Sequence, residues 1–124
     1  MLVVDDDPQA VELIAVRVAC QACTVLRAYG GLDAIALART ALPDVIVLDL
    51  MMPDVNGFDV VEALSKHPDT ARIPILVVTS KQVTDHDRDQ LNGSVLVIME
   101  KGEFSRDRFT AEVRRALSRR RLGA

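Results

Sequence analysis

The chain has 124 residues, 49% of them hydrophobic, enough for one packed core and too few for two ordinary domains, so a single domain over residues 1–124 is expected. A net charge of −3 and an aromatic content of 3% exclude a broad electrostatic pull on nucleic acid and leave few rings for base stacking. Asp, Arg, Pro or Gly interrupts each apolar run before the roughly 20 residues of a membrane span, and Met1-Leu2-Val3-Val4 enters acids at once, which leaves no room for a signal peptide. A cytoplasmic chain without membrane contact is expected.

Short Val/Ile/Leu runs alternate with stretches of helical period, the pattern of βαβ units. The first strand is expected at Leu2–Val4 and runs into Asp5-Asp6-Asp7. Asp7 precedes Pro8, which reads as an N-cap with Pro at the first helical position. Val11, Ile14, Ala15, Val18 and Ala22 form the apolar face of that helix. Cys20 and Cys23 fall late in it, with no second pair and no nearby His, so reduced, partly buried thiols are expected rather than a metal or redox site.

A second strand is expected at Thr24–Ala28, then Gly30-Gly31 as a break and a helix marked by Ala34, Leu37, Ala38 and Ala41. Pro43 precedes the third strand, Val45–Leu48, which ends on Asp49. Val61 and Leu64 mark a helix, Pro74 precedes a fourth strand at Ile75–Val78, and Thr79-Ser80 closes it. Thr84 to Gly93 is mostly polar and predicts a short or loosely packed helix. Val95–Met99 is the fifth strand, followed by Glu100-Lys101, and Phe109, Val113, Ala116 and Leu117 mark the last helix. Arg119-Arg120-Arg121 ends it, where cations suit the macrodipole.

Five strands and five helices with right-handed crossovers predict an α/β, doubly wound, flavodoxin-like parallel sheet of order 2-1-3-4-5. Such sheets bind ligands beyond the strand carboxyl ends where the winding reverses, here between strands one and three. Asp5, Asp6 and Asp49 should meet there. Crowded carboxylates repel one another unless a cation neutralises them, and a small all-oxygen ligand set suits Mg²⁺ completed by phosphate. An acid closing a buried strand is costly without a purpose, so Asp49 is assigned a function. With Thr79 and Lys101 at the next strand ends, the crevice holds a carboxylate nucleophile, a metal site, a hydroxyl and an ammonium, the components of phosphoryl transfer. His67 and His86 lie in polar stretches and read as solvated surface. Met51 and Met52 read as loop packing, since thioethers are poor partners for Mg²⁺.

The sequence resembles the receiver, or response-regulator, family of two-component signalling through Val3-Val4-Asp5-Asp6-Asp7-Pro8, Asp49-Leu50-Met51-Met52-Pro53-Asp54-Val55-Asn56-Gly57, Val78-Thr79-Ser80 and Lys101. The resemblance covers essentially the whole chain. It implies Asp49 as phosphoacceptor, Asp5 and Asp6 as the acidic pair for Mg²⁺, and the Met51 backbone carbonyl as a further ligand. Thr79 would be the switch hydroxyl and Lys101 its charge partner. A histidine kinase or histidine phosphotransfer domain would be the partner, with the chain a monomer or weak homodimer. The stretches Asp85 to Gly93 and Lys101 to Ser105 are similar to receivers attached to hybrid histidine kinases.

Two positions depart from the family pattern. Gly102 stands where receivers carry a proline after a cis bond, and a cis bond before Gly is strongly disfavoured. Ile98 replaces the aromatic residue that couples to the switch hydroxyl, so aromatic rotation cannot report phosphorylation. An aspartyl-nucleophile phosphatase would need a second acid where Met51 stands, and no G-x-x-x-x-G-K-[ST] loop for nucleotide hydrolysis follows any strand. The remaining alternative is a pseudo-receiver that binds partners without phosphorylation. Self-modification without turnover of a free substrate is expected, with output carried by a partner or by residues beyond this chain.

Overall fold

The computed structural model describes residues 1–19, 25–91, 93, 95–100 and 106–123, with backbone only for 16–19, 106 and 117–123. Cys20, Cys23, Thr24, Lys101, Gly102 and Ser105, and the side chains of Val18 and Leu117, lie outside the described set. Strands β1 (Leu2–Val4), β2 (Leu26–Ala28), β3 (Ile46–Leu48), β4 (Ile75–Thr79) and β5 (Val97–Glu100) alternate with helices α1 (Pro8–Ala19), α2 (Gly31–Ala41), α3 (Gly57–Ser65), α4 (Pro68–Ala71), α5 (Asp85–Leu91) and α6 (Arg106–Gly123). The strands form one parallel sheet in the order β2-β1-β3-β4-β5, as expected from the sequence.

Alternation along β1, β3 and β4 explains why these strands read as continuous apolar runs. Leu2 and Val4, Ile46 and Leu48, and Ile75 and Val77 face one layer, packing with Ala34 and Ala38 of α2, Val60, Val61 and Leu64 of α3 and Leu91 of α5. Val3, Val47, Leu76 and Val78 face the other, with Val11 and Ile14 of α1 and Phe109, Val113 and Ala116 of α6. A sheet covered on both faces has no polar side to show. Ala41, assigned to the buried face of α2, is exposed in its last turn.

The described residues hold six helices against the five expected. The additional one, α4, is a single turn with Pro68 at its start, where the missing N–H costs nothing. The buried Thr70 hydroxyl pins it by donating to the Leu64 carbonyl at 2.7 Å. The polar segment after β4 is a regular helix, α5, because Thr84 and Asp87 cap it reciprocally. The Asp87 N–H donates to Thr84 Oγ1 at 3.1 Å and the Thr84 N–H to Asp87 Oδ2 at 3.0 Å.

Helix α3 is held against the end of β3. Asn56 and Asp59 form its capping box, with backbone-to-side-chain bonds of 3.0 and 3.1 Å. The Gly57 N–H donates to the Leu50 carbonyl at 3.2 Å, and a Cβ on Gly57 would lie 2.5 Å from the Asp49 carbonyl oxygen and 2.6 Å from Leu50 Cα. Both are backbone atoms that cannot swing aside, so only glycine lets α3 start here. Replacing Gly57 with Ala should lower stability by about 1–3 kcal/mol, the usual cost of overpacking, read as an earlier midpoint in urea unfolding.

Candidate functional site

Register builds the site. Val4 pairs with Leu48 across β1 and β3, so Asp5 and Asp49 leave adjacent parallel strands at one level. Backbone bonds continue one residue past the strands and fix both: the Asp49 N–H donates to the Val4 carbonyl at 3.0 Å, and the Asp5 N–H to the Ala28 carbonyl at 3.2 Å. Asp5 and Asp49 are buried at 2% and 3% exposure, whereas Asp6 is exposed. One carboxylate oxygen from each of Asp5, Asp6 and Asp49 lies within 4.8 Å of the others.

Two of these acids are fastened by main-chain donors from their own loops. Asp5 Oδ1 accepts from the Asp7 N–H at 3.0 Å and Asp49 Oδ1 from the Met51 N–H at 3.1 Å. Asp7 caps α1 as expected, its Oδ1 accepting from the Gln9 N–H at 3.0 Å. These bonds orient the carboxylates. Three carboxylate oxygens so close together fit a divalent cation, a hard ion that prefers oxygen ligands.

Thr79 stands at the neighbouring strand end. Leu48 pairs with Val77, so Thr79 reaches one residue beyond the level of Asp49. It is fully buried, and its Oγ1 accepts from the Lys81 N–H at 3.2 Å. Lys101 lies outside the described residues; of the five predicted side chains the structure brings the three carboxylates together and sets Thr79 at the end of the next strand. His67 and His86 are exposed, as expected. Met52 is buried in the core, but Met51 is 52% exposed, which corrects its assignment as packing: the loop turns its side chain outward while its N–H stays bonded to Asp49. Ile98 is partly buried against the core beside Arg88, Leu91 and Val95.

Comparison with known proteins fixes the family. The family model described as "Response regulator receiver domain" matches residues 1–114. The chain belongs to the response regulator receiver family. Protein PilH of Pseudomonas aeruginosa is 37% identical over 93 residues, covering 75% of this chain and 74% of PilH. TcrX of Mycobacterium tuberculosis is 38% identical over 86 residues, covering 68% of this chain and 36% of TcrX, so the chain spans about a third of that relative's length. The fold is also that of the receiver domain of a P. aeruginosa sensor histidine kinase, solved with a magnesium ion coordinated in its active-site cleft. It has TM-score 0.83 and 20% identity, covering 94% of this chain and 95% of that one. As a receiver domain the chain is a signalling module of two-component systems. No helix among the described residues is long and apolar enough to cross a membrane.

One feature beside the site escaped the sequence reading. Lys81 Nζ lies 2.9 Å from Asp87 Oδ2, with Asp87 at 8% and Lys81 at 30% side-chain exposure. The T-x-x-D spacing of Thr84 and Asp87 signals the cap, but nothing local signals the ion pair. The hydrogen bond from Lys81, then that from the Thr84 N–H, lowers the Asp87 carboxyl from 3.8 to about 2, against the upward push of burial. A carboxyl depressed by folding stabilises the native state fully above its unfolded value and loses that contribution as pH falls through its folded value. The stability difference between the wild type and Asp87→Asn should therefore be constant above pH 3.8 and shrink as pH approaches about 2, measured by urea unfolding at stepped pH.

Proposed function

We propose that residues 1–124 form one phosphoacceptor domain in which Asp49 takes a phosphoryl group from a phosphohistidine of a histidine kinase or histidine phosphotransfer domain. The observation that carries this reading is the convergence of three carboxylate oxygens within 4.8 Å at the sheet's switch point, with Asp49 buried and oriented by the Met51 N–H. An Asp49 oxygen attacks the phosphorus in line. The P–N bond breaks, the imidazole nitrogen keeps the electron pair and takes up a proton, and an acyl phosphate remains on Asp49.

Asp5, Asp6, Asp49 and the Met51 carbonyl would hold Mg²⁺, which when bound neutralises charge on the phosphoryl oxygens. The magnesium in the cleft of the similarly folded kinase receiver is in keeping with this. Asp49 is the nucleophile, Thr79 turns its hydroxyl toward the phosphoryl group, and Lys101, the residue that follows β5, supplies the positive charge partner. Attack of water on phosphorus would release phosphate and restore the carboxylate. The chemistry is self-directed, without turnover of a free substrate. The acyl phosphate biases a pre-existing equilibrium of the Thr79 loop. In this reading the domain works in the cytoplasm, apart from membrane and nucleic acid, as a monomer or weak homodimer.

Acetyl phosphate and Mg²⁺ test this, read by intact mass. The wild type should gain one phosphoryl group, and chelation of the metal or Asp49→Asn should abolish the gain. An unmodified wild type, or equal modification of Asp49→Asn, would overturn the reading.

A further inference from the structure

The β4–α5 loop, residues 80–84, is tied at both ends by one residue. The Lys81 N–H is bonded to Thr79 Oγ1 at 3.2 Å, and its ammonium is held by Asp87 Oδ2 at 2.9 Å. Asp87 cannot follow the loop freely, because its Oδ2 also accepts from the Thr84 N–H and its own N–H is bonded to Thr84 Oγ1. Ile98 offers no ring to rotate against the Thr79 hydroxyl. The tie runs instead from Thr79 through Lys81 to the first turn of α5.

From this geometry we propose that the Lys81–Asp87 ion pair is an electrostatic latch that holds the β4–α5 loop in its resting position, and that Asp87 acts through Lys81 as a positioning residue for Thr79. The proposal rests on the phosphoacceptor reading. When the Thr79 hydroxyl turns toward a phosphoryl group on Asp49, the Lys81 backbone bonded to it must shift. The ammonium clamped to Asp87 opposes that shift. Release of the pair frees the N-terminal turn of α5, so movement at Thr79 becomes movement of a helix without an aromatic relay. A group that binds only the shifted loop works against the latch, and its apparent affinity is reduced by the fraction of chains still latched.

Beryllofluoride with Mg²⁺, which forms a phosphoryl mimic on a carboxylate, is the probe, titrated calorimetrically into the full chain. Lys81→Met and Asp87→Asn should each bind it about three- to tenfold more tightly than the wild type, because the latched state no longer competes. The double variant should bind no more tightly than either single one, since both remove the same pair. Lys81→Arg, which keeps the charge, should match the wild type. Asp87→Asn retains an acceptor for the Thr84 N–H, so the variant keeps its helix cap. A merely structural pair would lower urea stability and leave beryllofluoride affinity unchanged. Unchanged or weaker binding by Asp87→Asn, or additive effects in the double variant, would overturn the latch while leaving the phosphoacceptor reading intact. A wild type that does not bind the probe at all would overturn both.

Discussion

Like-charge crowding at the carboxyl ends of β1 and β3 is the constraint around which this molecule is arranged. The Val4–Leu48 pairing leaves no freedom over where Asp5 and Asp49 emerge, and the buried setting denies both the water that would screen them. Main-chain donors orient two of the three acids, and the cluster of three carboxylate oxygens fits a divalent cation.

The rest of the fold maintains that arrangement. Strand side chains pack on both faces, with α1 and α6 on one and α2, α3 and α5 on the other, so the sheet cannot slip without exposing apolar surface. Gly57 lets α3 press on the Asp49–Leu50 backbone. Gly31 does the same for the start of α2, where a Cβ would collide with the Val55 carbonyl oxygen. The acids are therefore gripped from the strand side by the ladder and from the loop side by helix starts. Thr79 is fixed by its place in β4, and the loop beyond it is held by the Lys81 N–H bond to the Thr79 hydroxyl, the Lys81–Asp87 ion pair and the Thr84–Asp87 cap.

Sheet order, strand placement and the acid cluster were legible in the sequence because each follows from a local rule: apolar runs, breakers between them, and an acid at a strand end. The α5 helix was harder, because its stability comes from the Thr84–Asp87 cap and one buried Leu91 rather than an apolar stripe. Helix α4 escaped because a four-residue turn has no period to detect. The Lys81–Asp87 pair escaped because its partners sit on a loop and a helix, and only the folded path of residues 80–84 brings them together. Met51 shows the converse: its side chain was expected to pack in the loop, and the fold leaves that side chain exposed while the Met51 N–H donates to Asp49.

If the acid cluster binds Mg²⁺, the ion must stabilise the native state by mass action, by roughly 1.4 kcal/mol at ten times its dissociation constant. Thermal unfolding against Mg²⁺ concentration, on the wild type and Asp6→Asn, measures this directly. The wild-type Tm should rise saturably by a few degrees. Asp6→Asn should lose that rise while unfolding no lower than the wild type in the absence of metal, because one of three clustered charges is gone. A wild-type Tm indifferent to millimolar Mg²⁺, or an equal rise in Asp6→Asn, would rule out a metal site at this cluster.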